Sequence, residues 1–212
     1  MRVTTYPKPS VTPLSEHPER NVIRLELKRN AILATLDDTQ LHELEPHLSI
    51  VDGAKGDELL QQGVREMGQY FILSGILKRV VSNAEGKEMI LRFAGEHDME
   101  TSYAAWRLGT PTPYAIVCVS KARVARLTMV EWVAFLERYP EAKRQFEYYV
   151  MRVMSEIMAH TITLHLLDAP GRVHRFIRKH PELVDLVPQK QLASHLNLSP
   201  ETLSRLRQSG KI

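Results

Sequence analysis

Apolar positions recur along the chain with two different periods. Across residues 25–47 the spacing is helical and comes in two pieces. Ile32, Leu33 and Leu36 make one apolar face, and Leu41, Leu44 and Leu48 make the next. Between them Asp37-Asp38-Thr39 offers N-cap chemistry, and Pro46 should kink or end the second piece. Across residues 51–128 the texture changes. Short β-rich runs at 70–73, 76–81, 89–93, 115–119 and 124–127 alternate with glycines, and eight of the chain's ten glycines fall between Gly53 and Gly109. That pattern predicts a compact antiparallel sandwich or barrel, with Asn83-Ala84-Glu85-Gly86 as a hairpin turn.

The helical period returns at Met129. A short helix is expected over 129–139, and Pro140 opens a long one at the first turn, where proline is tolerated. Along it Phe146, Val150, Val153, Ile157, His160, Leu164 and Leu167 alternate at spacings of four and three. A strict 4-3 seam is the pattern of a helix that pairs with a second helix, which assigns these residues to a dimer interface. Ala169-Pro170-Gly171 ends the helix, and a short basic helix follows to about Lys179. Two last helices, 189–196 and 199–208, are joined by a tight turn. Leu192, Leu196, Leu198, Leu203 and Leu206 can form the small core where they cross, and Ala193 lets them approach closely. Ser199 is the N-cap of the last helix, Pro200 its first residue, and Glu201 an acid in its favourable first turn.

This is a helix-turn-helix shape, and charge sharpens the reading. From residue 171 onward eight Lys/Arg face three Asp/Glu, so this end carries +5 while the whole chain carries +3, and the rest is slightly acidic. A basic unit on an acidic body points to a polyanion. On the last helix Glu201, Ser204 and Arg205 share one polar face, where arginine can pair with guanine and glutamate can accept from cytosine. Ser199, Thr202, Gln189, Lys190 and Arg207 are the candidate phosphate and flanking contacts. Residues 1–22, rich in proline, read as a flexible tail. The remaining divisions expected are 23–139 for the β-rich unit, 140–168 for the long helix and 169–212 for the DNA-binding unit.

Composition closes other classes. With 43% hydrophobic and 25% charged residues the chain is neither disordered nor collagen-like, and no apolar stretch is long enough for a membrane span. The N-terminus has no signal-peptide core, so a cytoplasmic protein is expected. One cysteine, Cys118, cannot supply a disulfide framework or the usual iron–sulfur ligand set. His97 is the single histidine between His47 and His160, too few for a metal-dependent β-barrel enzyme, and its position in a turn does not favour haem. No metal site and no enzyme are expected. The residues leave a second class open: a ligand-binding regulatory module that acts through protein contacts rather than DNA.

The β-region Lys55-Gly56-Asp57-Glu58-Leu59-Leu60, Gly63 and Gly68-Gln69-Tyr70-Phe71-Ile72-Leu73-Ser74-Gly75 resembles the effector-domain pattern of the Crp/Fnr family. The end of the chain, Val187-Pro188-Gln189-Lys190-Gln191-Leu192-Ala193 and Pro200-Glu201-Thr202-Leu203-Ser204-Arg205, resembles that family's helix-turn-helix. The resemblance covers about residues 30–208. It implies an α+β chain: an N-terminal antiparallel, jelly-roll-like β-roll of the cyclic-nucleotide-binding type, a long dimerisation helix and a C-terminal winged helix-turn-helix. The wing is expected in reduced form, because little sequence follows the last helix. The implied protein is a bacterial homodimeric transcription regulator that binds palindromic double-stranded DNA and works with RNA polymerase. Glu201, Ser204 and Arg205 are similar to the Fnr-type reading triad, which implies TTGAT-like or TTGAC-like half-sites.

The effector pocket departs from the family pattern. Glu100 matches the family's ribose-binding glutamate, but Met99 replaces the glycine before it. Pro113-Tyr114 stand where an Arg-Ser pair would hold the phosphate, and Arg107 is the nearest arginine. A buried phosphate needs a guanidinium and nearby donors. cAMP bound in the usual way is therefore not expected. The candidate pocket is Met99, Glu100, Thr101, Arg107, Pro113 and Tyr114, with its effector unnamed.

Overall fold

The structure is a computed structural model that describes residues 10–209. Strand β1 (Ser10–Pro13) opens the chain, followed by helices α1 (Arg20–Leu27) and α2 (Asp38–Leu44). The strands β2 (Ser49–Gly53), β3 (Glu58–Leu60), β4 (Gly68–Ser74), β5 (Leu77–Ser82), β6 (Glu88–Ala94) and β7 (Met99–Thr101) come next. After α3 (Tyr103–Arg107), strands β8 (Ala115–Cys118) and β9 (Ala122–Thr128) complete two antiparallel sheets. Their orders are β1-β2-β9-β4-β7 and β3-β8-β5-β6. Helices α4 (Met129–Arg138), α5 (Pro140–Leu166), α6 (Ala169–Lys179), α7 (Gln189–His195) and α8 (Pro200–Gln208) follow.

The expected tail at 1–22 is corrected from residue 10 onward; residues 1–9 lie outside the described residues. Ser10 pairs with Asp52 and Pro13 with Ser49, and Leu14 is buried in the core. Proline is tolerated there because β1 is an edge strand. Ile32, Leu33 and Leu36 are buried, but in a 3-10 turn and its flanks rather than in a longer helix. Asp37 caps α2 in a reciprocal capping box with Gln40, and Thr128 caps α4 in the same way with Glu131.

Strand alternation sets the layers. On β4, Tyr70 and Ile72 point into the roll between the sheets, whereas Phe71 and Leu73 point outward to the helices. The outward residues meet Trp132 of α4 and Phe146 of α5. Phe71 and Trp132 pack edge to face at 5.4 Å, as do Trp132 and Phe146. The turn from β4 to β5 requires Gly75, whose φ is +85° and where a Cβ would stand 2.3 Å from the Lys121 carbonyl.

Packing reverses the reading of α5. Phe146 and Val153 are buried within their own chain, and Val150 and Ile157 pack on the same core. His160 stacks on His195, Leu164 is half-buried, and Leu167 lies at the end of the helix, 38% exposed. From Phe146 to Ile157 the seam therefore packs on its own chain's core outside the β-roll, and His160 meets α7. A different stripe of α5 is left open: Tyr148, Met151, Met154, Met158, Ile162 and Leu166 are between 49% and 77% exposed.

The four-stranded sheet is covered on both faces. Its outer side chains Ile76, Val80, Ile90 and Phe93 share one cluster with Val173, Phe176, Leu192 and Leu196 of the last helices. The helix-turn-helix thus packs directly on the β-roll.

Candidate nucleic-acid interface and effector cavities

Helices α7 and α8 cross over a core of Leu192, Ala193, Leu196, Leu203 and Leu206, all buried, with Leu198 packed against it. Asn197 takes the left-handed conformation (φ +52°) that the tight turn needs, and Leu198 N–H donates to the Ala193 carbonyl at 2.9 Å. Ser199 Oγ accepts from Thr202 N–H at 3.1 Å and caps α8. The Glu201 carboxyl is held below its ordinary range by its own backbone N–H and by Ser199. Glu201, Arg205 and Arg207 are exposed; Ser204 and Thr202 are half-buried; Gln189 and Lys190 lie exposed at the start of α7. The Glu201–Ser204–Arg205 face is therefore open at the N-terminal half of α8.

A histidine joint attaches this unit to the rest. His195 Nδ1–H donates to the Ile90 carbonyl of β6 at 2.9 Å, and His160 Nε2–H donates to the His195 carbonyl at 3.0 Å. The two imidazoles stack at 3.9 Å with planes 4° apart, and Phe93 and Phe176 close around His195. Burial, then the charge of His160, pushes the His195 pKa down to about 3, so it sits neutral. Arg172 of α6 donates to the Leu167, Leu196 and Asn197 carbonyls, tying the helix ends together.

The expected effector pocket is brought together only in part. Met99, Glu100, Thr101 and Tyr114 are buried side by side, but Arg107 and Pro113 face solvent away from them. The space that Thr101 and Tyr114 line measures about 10 Å³, room for about one water molecule and none for a nucleotide. Arg79 of β5 closes it. Its Nε donates to Glu100 Oε2 at 3.0 Å, its Nη2 to the Thr101 carbonyl at 3.2 Å, and its guanidinium lies 4.2 Å from the Tyr114 ring centroid. Burial opposes the Arg79 charge, but the Glu100 carboxylate outweighs it and raises the pKa above the ordinary arginine range. On the other side of Glu100, Arg92 stands 3.3 Å from Oε1 and pairs with Asp98, which also meets the Tyr149 hydroxyl. The arginine missing from the expected position is thus supplied from another strand and is already neutralised. One sequence signal marks it: Arg79 has the strand parity of the inward Leu77.

A second, larger cavity of about 670 Å³ lies where β6, α5, α6 and α7 meet. Phe93, Ile157, Phe176 and Leu183 form its apolar walls, and Arg152, Arg175 and Lys179 line it with positive charge. No local sequence pattern marks it, because its walls come from four distant segments. Cys118 is buried, and burial together with Asp57 pushes its thiol up to about 12. Among the described residues no helix is long and apolar enough to cross a membrane.

Residues 51–139 match the cyclic nucleotide-binding domain family. No curated protein sequence matches the chain. Among solved structures, FixK2 from Bradyrhizobium japonicum superposes with a TM-score of 0.68 at 15% identity, over 77% of this chain and 86% of that one. The c-di-GMP-responsive global regulator CLP of Xanthomonas campestris gives 0.67 at 13% identity, over 82% and 92%. The Thermus thermophilus catabolite activator protein gives 0.53 at 18% identity, over 84% and 87%. The chain therefore shares the fold of these solved regulators: a β-roll, a long helix and a C-terminal helix-turn-helix.

Proposed function

We propose that the chain is a homodimeric, sequence-specific DNA-binding transcription regulator whose effector is not cAMP bound in the usual way. The observation that carries the DNA reading is the open Glu201–Ser204–Arg205 face on a capped helix with basic flanks. Arg205 is assigned to a guanine and Glu201 to a base-edge donor, with Ser204 beside them. Ser199 and Thr202 at the helix start, and Gln189, Lys190 and Arg207 around it, are assigned to the backbone or flanks. A DNA partner places the protein in the cytoplasm.

The dimer is assigned to the exposed α5 stripe. Met151, Met154, Met158 and Ile162 form a long, narrow apolar surface that a second copy can cover about a two-fold axis. Against cAMP stands the collapsed β-roll pocket, where the Arg79–Glu100 pair and Tyr114 occupy the phosphate region.

Selection of preferred duplexes from random DNA, followed by binding curves at several salt concentrations, tests the DNA reading. Arg205→Ala should cost about 1–3 kcal/mol on the selected site and relax one base position per half-site. Lys190→Ala should weaken all sequences alike and flatten the salt slope by about 0.9 for each phosphate it no longer neutralises. Equal weakening of all sequences by Arg205→Ala would show a phosphate clamp instead. Absence of any salt-dependent duplex binding would leave the protein-contact module.

A further inference from the structure

The cavity between the β-roll and the last helices combines three features that a small-molecule site needs. Its volume, about 670 Å³, lies within the ordinary range of ligand sites. Its inner wall is apolar and aromatic. The Phe93 and Phe176 rings stand 6.5 Å apart, nearly perpendicular, and His160 and His195 line the same wall. Its α6 side is cationic, with Arg175 and Lys179 one turn apart on the same helical face.

The other charges in the cavity are mostly engaged elsewhere. Asp98 pairs with Arg92, Glu182 lies 3.6 Å from His180, and Glu96 accepts from Gly75 N–H. Glu156 of α5 is the remaining carboxylate. Arg172 is committed to backbone carbonyls and Arg152 lies over the Tyr149 ring. Among the described residues Arg175 and Lys179 form no ion pair. Their field reaches the cavity wall: burial first, then Lys179, His180 and Arg175, hold the His160 pKa below its usual value.

We propose that this cavity binds an organic anion with a flat aromatic body, its ring against Phe93 and Phe176 and its phosphate or carboxylate held by Arg175 and Lys179. A charged group between two unpaired cations gains charge-assisted hydrogen bonds, and the ring gains apolar and edge-on contacts. Because β6 and α6 both supply walls, an occupant ties the helix-turn-helix to the β-roll. That regulatory consequence rests on α8 being the DNA-binding helix; the binding itself does not.

Calorimetric titration of the full chain with 1-naphthyl phosphate, 1-naphthoate, inorganic phosphate and 1-naphthylmethylamine tests the site. At least one naphthyl anion should bind, one molecule per chain, and comparison of the two identifies the preferred anion. Inorganic phosphate should bind at least a hundredfold more weakly, and the amine should not bind. Arg175→Gln with Lys179→Gln should weaken the anion at least tenfold. The charge-preserving pair Arg175→Lys with Lys179→Arg should restore most of the loss, and Arg178→Gln on the exposed side of α6 should change nothing. Equal binding of amine and anion, unchanged affinity in the folded Gln variant, or no binding of either naphthyl anion overturns the proposal. Intact anion binding by a protein that fails to bind duplex DNA would count against the DNA reading alone.

Discussion

Glu100→Gln is the sharpest probe of the collapsed β-roll pocket. The carboxylate is fully buried between two arginines, with Arg79 Nε at 3.0 Å and Arg92 Nε at 3.3 Å. Arg92 keeps Asp98 when Glu100 is neutralised, but Arg79, only 3% exposed, is left with uncharged partners alone: the Gln carboxamide oxygen, the Thr101 carbonyl and the face of Tyr114. Removing one partner of such a pair leaves a buried charge uncompensated and costs about 3–5 kcal/mol. At a urea m-value of about 3 kcal/mol/M, the unfolding midpoint should fall by about 1–2 M. The double variant Glu100→Leu with Arg79→Met removes both charges and should recover most of the loss, because a well-packed apolar pair can replace an ion pair at little cost. Urea titrations followed by circular dichroism at pH 7 supply all the values. A Glu100→Gln cost below about 1 kcal/mol would show that water already reaches Arg79. The pocket would then be open, and calorimetry with cAMP, expected to show no tight binding to the native chain, should reveal it.

Two further predictions separate the faces of α5 and the chemistry of its joint. Met154→Glu with Met158→Glu places like charges across the assigned two-fold axis at a cost of several kcal/mol, so sedimentation should show a folded monomer; a persisting dimer would refute the stripe. His195, neutral in the fold with its pKa depressed to about 3, gains a proton on unfolding below about pH 6.5. Its contribution is complete above that pH and should fall by about 1.4 kcal/mol per pH unit as pH drops toward 3, a slope that His195→Gln flattens and that thermal melts between pH 7 and 5 can read. Identical slopes for the native chain and the variant would mean that His195 titrates in the folded chain.

What the sequence determines here is what short stretches of chain decide for themselves. The helix-turn-helix is legible because its entire small core, Leu192 to Leu206, lies within fifteen residues, and because Ser199 and Pro200 mark the start of α8 by local chemistry. The β-roll is legible from glycine punctuation and strand-length apolar runs, since turns that need positive φ at Gly75 and Gly86 limit where strands can stop. Tertiary structure decides what covers each apolar surface. A 4-3 period shows that α5 has a stripe to bury but carries no information about whether a sheet or another helix lies opposite. Phe71 and Trp132 settle it in favour of the sheet for Phe146 and Val153, leaving the methionines outside. In the same way, Arg79 meets Glu100 only because β5 lies across from β7, and the large cavity exists only because β6, α5, α6 and α7 converge. The Arg79–Glu100 and His195–Ile90 bonds join residues 21 and 105 positions apart, and local periodicity has no reach over such separations.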